Sequence, residues 1–196
     1  MPAHRARRTV LNLEAATVMV GSANRMPKIM YDVVVHFGAP KAGSSALQYF
    51  FLQNRAAIEK CGFYYPPHAI DRNSVSGGHS VFGLALIAEE TFADAKAIFD
   101  GYLRDARAKG LTLLISAESL YRQAEAFKRL TDGLRVKAIG FFRDPIDTLV
   151  SSYNQLVKRS YLTSSFFKYC RTVLNSEAQS YTGAMHEKWV DSFGES

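Results

Sequence analysis

The sequence predicts an α/β domain of three layers, in which a central, mainly parallel sheet lies between helices. Short β-branched and aliphatic runs alternate with stretches whose apolar residues recur at helical spacing. Strands that alternate with helices in this way favour a parallel sheet with helices on both faces. The chain has 196 residues and is 47% hydrophobic, which is enough for one domain with a core of its own.

The first predicted strand spans residues 31–37, because a β-branched run there is followed directly by turn formers. Residues 38–43 form the turn. A helix is predicted from Ser44 to near Gly62, since glycine is a common helix C-terminal cap. Residues 63–80 are rich in Pro, Gly, Ser and Asn, so we expect a long surface loop.

The second half of the chain continues the alternation, and we expect ligands at the carboxyl ends of its strands. A capping box is predicted at Thr91–Asp94. The predicted elements that follow are a helix over 91–110, a strand over 111–116, a helix over 119–130, a strand over 136–142, a helix over 145–158 and further helix after 164.

The two ends of the chain are predicted to differ from the rest. Residues 1–27 are interpreted as a flexible extension, because Glu14 interrupts an apolar stretch that an export signal would keep. The domain is therefore expected to span 28–196. Residues 189–194 resemble the approach to a further strand, so we expect the C-terminal part of the domain to be missing.

The composition excludes some classes of protein and leaves others open. The net charge of +6 fits a polyanionic ligand but also a nucleic-acid binder. Paired phenylalanines at helix or strand spacing fit core packing better than base stacking, so no nucleic-acid partner is expected. The two cysteines predict neither a disulfide framework nor a zinc site, which favours the cytoplasm. No stretch reaches the ~20 apolar residues of a membrane span.

The strongest functional pattern lies between the first strand and the first helix. Gly38 and Gly43 permit close backbone approach, and the amides of a helix start bind anions. Lys41 adds a cation, while Ser44 and Ser45 add hydroxyl donors. A Walker A loop would place its lysine directly after the second glycine, whereas Lys41 precedes Gly43. Taken alone, this loop also fits a tight turn with a solvated lysine.

A second anion site is predicted where the last strand enters its helix. Arg143 ends that strand, and Ser151 lies two turns into the helix. A guanidinium can bind a phosphate with two parallel hydrogen bonds, and a serine hydroxyl can add a third. Two anion sites together indicate a nucleotide that is phosphorylated at two positions.

These two segments resemble the nucleotide-dependent sulfotransferase family. The first is His-Phe-Gly-Ala-Pro-Lys-Ala-Gly-Ser-Ser at 36–45, and the second is Arg-Asp-Pro-Ile-Asp at 143–147, continuing to Ser151. The resemblance covers roughly 31–194. It implies a topology like that of P-loop nucleotide hydrolases and the co-substrate 3'-phosphoadenosine-5'-phosphosulfate, with no metal. The family's later segment, which closes over the adenine in many members, has no counterpart here.

The resemblance also assigns roles to individual residues. Lys41, Ala42, Gly43, Ser44 and Ser45 would bind the 5'-phosphosulfate. For the 3'-phosphate it implies Arg143 and Ser151.

The family uses a histidine or a carboxylate to take the acceptor's proton, and Lys41 would stabilise the leaving oxygen. Glu118, after the second strand, is the first candidate, although it could equally interact with a helix dipole. His79 in a glycine-rich loop is the second candidate, with a solvated histidine as the alternative. His36 and Trp189 are interpreted as core residues.

Two other functions stay open. A kinase-like enzyme that uses the same loop for phosphoryl transfer would need Mg²⁺, and the sequence has no obvious metal-holding aspartate after a strand apart from Asp144. A nucleotide-binding protein without catalysis is the other alternative. The acceptor is expected to be a small molecule, a carbohydrate or a lipid, bearing a hydroxyl or an amine.

Overall fold

A computed structural model of the protein describes residues 30–70, 76–176 and 183–194. Within these residues a four-stranded, all-parallel sheet lies between helices, as the predicted three-layer α/β/α fold requires. The strands are β1 (Val33–Gly38), β2 (Phe63–Tyr64), β3 (Thr112–Ser116) and β4 (Val136–Phe141), and their order in the sheet is β2-β3-β1-β4.

Strand β1 is the centre of the sheet and ends at the candidate anion loop. Val33 pairs with Leu113 of β3 on one side and with Val136 of β4 on the other. All of β1 is buried, because neighbouring strands cover its edges and helices cover its faces. The loop that follows it is therefore attached to a buried strand that is paired on both sides.

The helices are named in chain order. They are α1 (Ser44–Gln53), α2 (Arg55–Lys60), α3 (Ser80–Ala85), α4 (Phe92–Ala108), α5 (Ala124–Leu130), α6 (Pro145–Lys158), α7 (Phe166–Ser176) and α8 (Ala184–Phe193), with 3₁₀ turns at Glu89–Thr91 and Glu118–Arg122.

The two faces of the sheet carry different helices. On one face Val33, Val35 and Phe37 belong to the main core, to which α3, α4, α5 and α8 contribute. On the other face Val34 and Leu114 pack against apolar residues of α1 and α2. This division follows from strand geometry, because successive side chains of a strand point to opposite faces.

Trp189 of α8 is a core residue, as predicted. It is 3% exposed, and its indole lies nearly parallel to the ring of Phe37 with 3.8 Å between ring centroids. Its Nε1 donates a hydrogen bond of 3.0 Å to the carbonyl oxygen of Tyr121. Aromatic pairs of this kind contribute about 1 kcal/mol beyond their buried area, so this contact ties α8 to the sheet.

The segment predicted as a long surface loop is partly core. It begins with β2, where Phe63 pairs with Thr112 of β3, and continues through the buried side chain of Tyr65. It ends with α3, which the sequence did not predict. The preceding helix is also interrupted, because Asn54 stands between α1 and α2 and its amide donates to the Phe50 carbonyl.

Two further local predictions were wrong. The Thr91 hydroxyl donates to the Ala85 and Ala88 carbonyls, so it forms no capping box at the start of α4. The helix predicted over 119–130 divides into a 3₁₀ turn and α5. Residues 189–193 form the end of α8, which Gly194 terminates at a φ of 76°.

Helices α6 and α7 form a hairpin with a small apolar cluster of its own, built on Leu149, Tyr169 and Val173. The prediction that the paired phenylalanines are core residues was wrong for four of them, since Phe50, Phe142, Phe166 and Phe167 are exposed. The predicted extension 1–27 lies outside the described residues. Across the parts that the structure describes, no helix combines the length and apolar character that crossing a bilayer requires.

Candidate functional site

The loop between β1 and α1 leaves several of its backbone amides without a hydrogen-bond acceptor among the described residues. Lys41 has a φ of 67° and Gly43 a φ of 92°, both in the left-handed region. In the described part of the chain, the amides of Lys41, Gly43, Ser44 and Ser45 donate to no protein acceptor. Amides on either side of left-handed residues form concave anion-binding nests, and the first turn of a helix leaves its amides free.

Gly38 allows α1 to start very close to the end of β1. A Cβ atom at Gly38 would collide with the hydroxyl oxygen of Ser44. That hydroxyl is buried and has no hydrogen-bond partner among the described residues. A buried hydroxyl without a partner costs free energy, so an anion in the loop would supply what the protein lacks.

Arg143 joins the two sequence segments. It follows β4, and its Nη1 donates a hydrogen bond of 3.1 Å to the carbonyl oxygen of Lys41. Its Nε lies 3.9 Å from a carboxylate oxygen of Asp147, which is a weak, exposed ion pair. The structure thus brings Arg143 to the loop and leaves part of its guanidinium exposed.

Asp144 caps helix α6. Its Oδ1 accepts hydrogen bonds of 2.8 Å from the Ile146 amide and 3.1 Å from the Asp147 amide. With Pro145 at the first helical position, this cap sets the direction of α6. Ser151, in the second turn of α6, is half-buried and forms no hydrogen bond with the loop among the described residues.

Glu118 begins the 3₁₀ turn that follows β3. Burial raises the pKa of its carboxyl above the ordinary value, and the nearby charge of Lys41 acts in the opposite direction. The side chain keeps contact with solvent, which limits this shift through screening. Lys41 and Glu118 are thus electrostatic neighbours at the carboxyl edge of the sheet, where parallel sheets bind ligands.

His79 is buried and fully hydrogen-bonded, so it is not the solvated residue that its glycine-rich loop indicated. Its Nδ1 accepts from the Ser116 amide over 3.1 Å, and its Nε2 donates to the Pro66 carbonyl over 3.0 Å. Burial lowers its pKa to about 4. A neutral ring with both nitrogens engaged holds the end of β3 in place, whereas a base must reach its substrate.

Buried polar side chains lie on β1 and α1, the two elements that flank the loop, and the sequence analysis missed one of them. His36 lies in the core as predicted, with its Nδ1 2.7 Å from the Ser116 hydroxyl oxygen, but its Nε2 has no partner among the described residues. Burial lowers the pKa of His36 to about 4. Gln48, one turn after Ser44, is also buried, and the described residues offer its amide no partner.

The structure therefore brings together four of the predicted site residues, which are Lys41, Ser44, Arg143 and Glu118. His79 is not part of this group, because it is buried with both ring nitrogens hydrogen-bonded. Gln48 could have been found from the sequence, because it is a polar residue four positions after Ser44 on the sheet-facing side of α1. Among the described residues, no group of three His, Cys, Asp or Glu side chains is arranged to hold a metal ion.

A cavity of about 120 Å³ lies away from the loop, between Asp32 and residues at the end of α4. It is next to the start of β1, at the opposite edge of the sheet from the loop.

Comparison with protein-family models, with curated proteins and with solved structures finds no match to this chain.

Proposed function

We propose that the protein is a sulfotransferase that moves a sulfuryl group from 3'-phosphoadenosine-5'-phosphosulfate to a hydroxyl or amine acceptor. The observation that carries the proposal is the meeting of open amides, Lys41, Arg143 and Glu118 at the carboxyl edge of the sheet. The donor is a polyanion, and this set offers two cations, free amide donors and one carboxylate with a raised pKa.

The 5'-phosphosulfate would lie in the loop. The free amides and the unpartnered Ser44 hydroxyl are donors of the kind that its oxygens require. Ala42, Gly43 and Ser45 complete the loop, and Lys41 extends from its strained turn. Arg143, already bound to the Lys41 carbonyl, would use its remaining donors for the 3'-phosphate, with Ser151 on the next helix.

In the reaction, Glu118 accepts the proton of the acceptor group while the acceptor oxygen or nitrogen forms its bond to sulfur. The bond between sulfur and the bridging oxygen breaks in line, and Lys41 stabilises the charge that develops on that oxygen. Positioning and charge stabilisation supply most of the rate in such transfers. One well-placed donor of this kind lowers the barrier by about 3 kcal/mol.

The setting of the reaction is part of the same proposal. Cys61 is exposed and Cys170 half-buried, and both are free thiols. Free thiols fit a reducing compartment, and we propose the cytoplasm. The acceptor is proposed to be a small molecule, a carbohydrate or a lipid.

Calorimetric titration tests the proposal. We expect the chain to bind adenosine 3',5'-bisphosphate without metal and more tightly than AMP. A preference for ATP with Mg²⁺ would overturn the proposal in favour of a kinase-like enzyme; Asp144, whose Oδ1 caps α6, would then have to bind the metal. Bisphosphate binding without transfer to any acceptor in a broad screen would leave a nucleotide-binding protein without catalysis.

A further inference from the structure

The connection between α6 and α7 is an exposed aromatic and basic surface, and residues 157–168 are here called the hairpin tip. Phe167 is 81% exposed and Tyr161 is 73% exposed. Lys158, Arg159 and Lys168 surround them and are exposed as well. Exposed aromatic rings of this size are costly in water, and several at one end of a hairpin indicate an interaction site.

Every charged side chain in the segment that contains the hairpin tip, residues 148–176, is positive. Residues 148–176 contain the cations Lys158, Arg159, Lys168 and Arg171 and not a single Asp or Glu. None of the four cations forms an ion pair within the parts of the chain that the structure describes. Any partner of this surface therefore meets a positive field, and no carboxylate of the described residues is paired with these four cations.

The tip is distant from the candidate nucleotide site. Helix α6 starts close to Arg143 and is 14 residues long, with its last two residues in the tip, and a helix of that length is about 20 Å long. The cations of the tip are therefore too far from the loop to bind the same nucleotide. Their role is separate from the proposed function and does not depend on it.

The exposed rings are not misplaced core residues. The hairpin already has a core beneath them, formed by Leu149, Tyr169 and Val173. The connection is fixed to this core, because the Tyr153 hydroxyl donates to the Ser164 carbonyl over 3.1 Å and the Tyr161 amide donates to the Leu156 carbonyl over 2.9 Å. The tip thus presents its aromatic rings on an ordered turn.

We propose that the hairpin tip docks on the surface of an anionic lipid bilayer. Such a surface accepts both components of the tip, since aromatic side chains favour the headgroup level and cations are attracted to anionic lipids. A polyanionic polysaccharide would pair with the cations but leave the Phe167 ring in water.

Vesicle sedimentation tests whether the hairpin tip binds an anionic bilayer. The full chain should bind vesicles of phosphatidylcholine with about a third phosphatidylserine, and bind pure phosphatidylcholine vesicles far more weakly. Binding should weaken as salt is raised. Replacing both Lys158 and Arg159 by Gln should lower the partition coefficient roughly thirtyfold. Phe167→Ser should lower it about tenfold, through the lost apolar contact.

Matched controls use residues of the same kind elsewhere. Val81→Ser removes an apolar side chain that is 73% exposed on α3, and Arg55→Gln with Lys60→Gln removes two cations from α2. These variants should bind anionic vesicles like the parent chain. Thermal unfolding of each variant verifies that it is folded.

Several results would overturn the proposal. They are absence of binding to anionic vesicles, equal losses in the tip variants and the controls, and equal binding to neutral and anionic vesicles. Heparin binding without vesicle binding would identify a polysaccharide surface instead. If the tip variants change only the oligomeric state, the tip contacts a second copy of the chain.

Discussion

The guanidinium of Arg143 donates a hydrogen bond of 3.1 Å to the main-chain carbonyl oxygen of Lys41. Residues 102 positions apart in the sequence thereby support one loop, and the second segment stabilises the strained turn of the first. Loss of Arg143 should consequently affect both the charge of the site and the shape of the loop.

We expect Arg143→Ala to bind adenosine 3',5'-bisphosphate about thirtyfold more weakly, since hydrogen bonds to charged groups contribute about 2 kcal/mol. The variant should bind the bisphosphate and AMP with equal affinity in calorimetry. Arg143→Lys should recover part of the loss, because it restores the charge without the planar fork. Arg129→Ala, on the distant α5, serves as control. A strong remaining preference for the 3'-phosphate would show that another residue binds it.

Two substitutions at Lys41 distinguish the effect of its side-chain amine on turnover from the effect of its backbone conformation on stability. Lys41→Ala and Lys41→Gly should both lower kcat by roughly a hundredfold, because both remove the cation that stabilises the leaving oxygen. Their stabilities should differ, since only glycine adopts the left-handed conformation without cost. The glycine variant should be more stable than the alanine variant by about 1 kcal/mol in urea unfolding. Equal turnover of the parent and both variants would exclude the amine from catalysis.

Glu118→Gln should lower kcat by about a hundredfold or more, as expected for loss of a general base. A base acts when deprotonated, so turnover of the parent chain should fall as the pH drops through the pKa of Glu118. Because burial raises that pKa, the fall should begin above the range of an ordinary glutamate. The glutamine variant should lack this acid limb. Glu90→Gln, in the distant 3₁₀ turn, should retain it, and a parent-like profile in Glu118→Gln would identify a different base.

The buried histidines predict a loss of stability in mild acid. His36 and His79 have pKa values lowered to about 4 from an ordinary 6.5. Their neutral rings favour the folded state above pH 6.5, and this contribution is lost as the pH falls from 6.5 towards 4.

The free energy of unfolding should then decrease by up to about 1.4 kcal/mol per pH unit for each histidine. Urea unfolding at several pH values measures the slope, and His36→Leu should show about half of it. A stability that stays constant between neutral pH and pH 5 would contradict the burial of both rings.

The fold was predictable from the sequence where local patterns agree with the tertiary structure. Strand β1 and helix α6 have clear patterns, since a β-branched run and an Asp-Pro cap decide them locally. Strand β2 was missed because Phe63 and Tyr64 form a strand only through pairing with β3. The breaks at Asn54 and in the 3₁₀ turn at Glu118 likewise depend on packing that no local pattern records.

The site was predictable to a similar extent. The sequence assigned Lys41 and Arg143 to two predicted anion sites, but their direct contact follows only from the adjacency of β1 and β4. The burial of His79 could not be inferred, because its glycine-rich surroundings are typical of exposed loops. Gln48 was missed, although its position one turn after Ser44 places it on the same face of α1 as that residue, where it is buried.

The separate apolar cluster of the α6–α7 hairpin has a consequence for motion. Because Leu149, Tyr169 and Val173 pack with one another rather than with the sheet, the hairpin forms a cooperative unit that can open while β1 stays closed. Amide hydrogens of α6 and α7 should therefore exchange with solvent long before those of β1. A nucleotide held by both the loop and Ser151 would join the two units, so that ligand binding slows hydrogen exchange far along the hairpin.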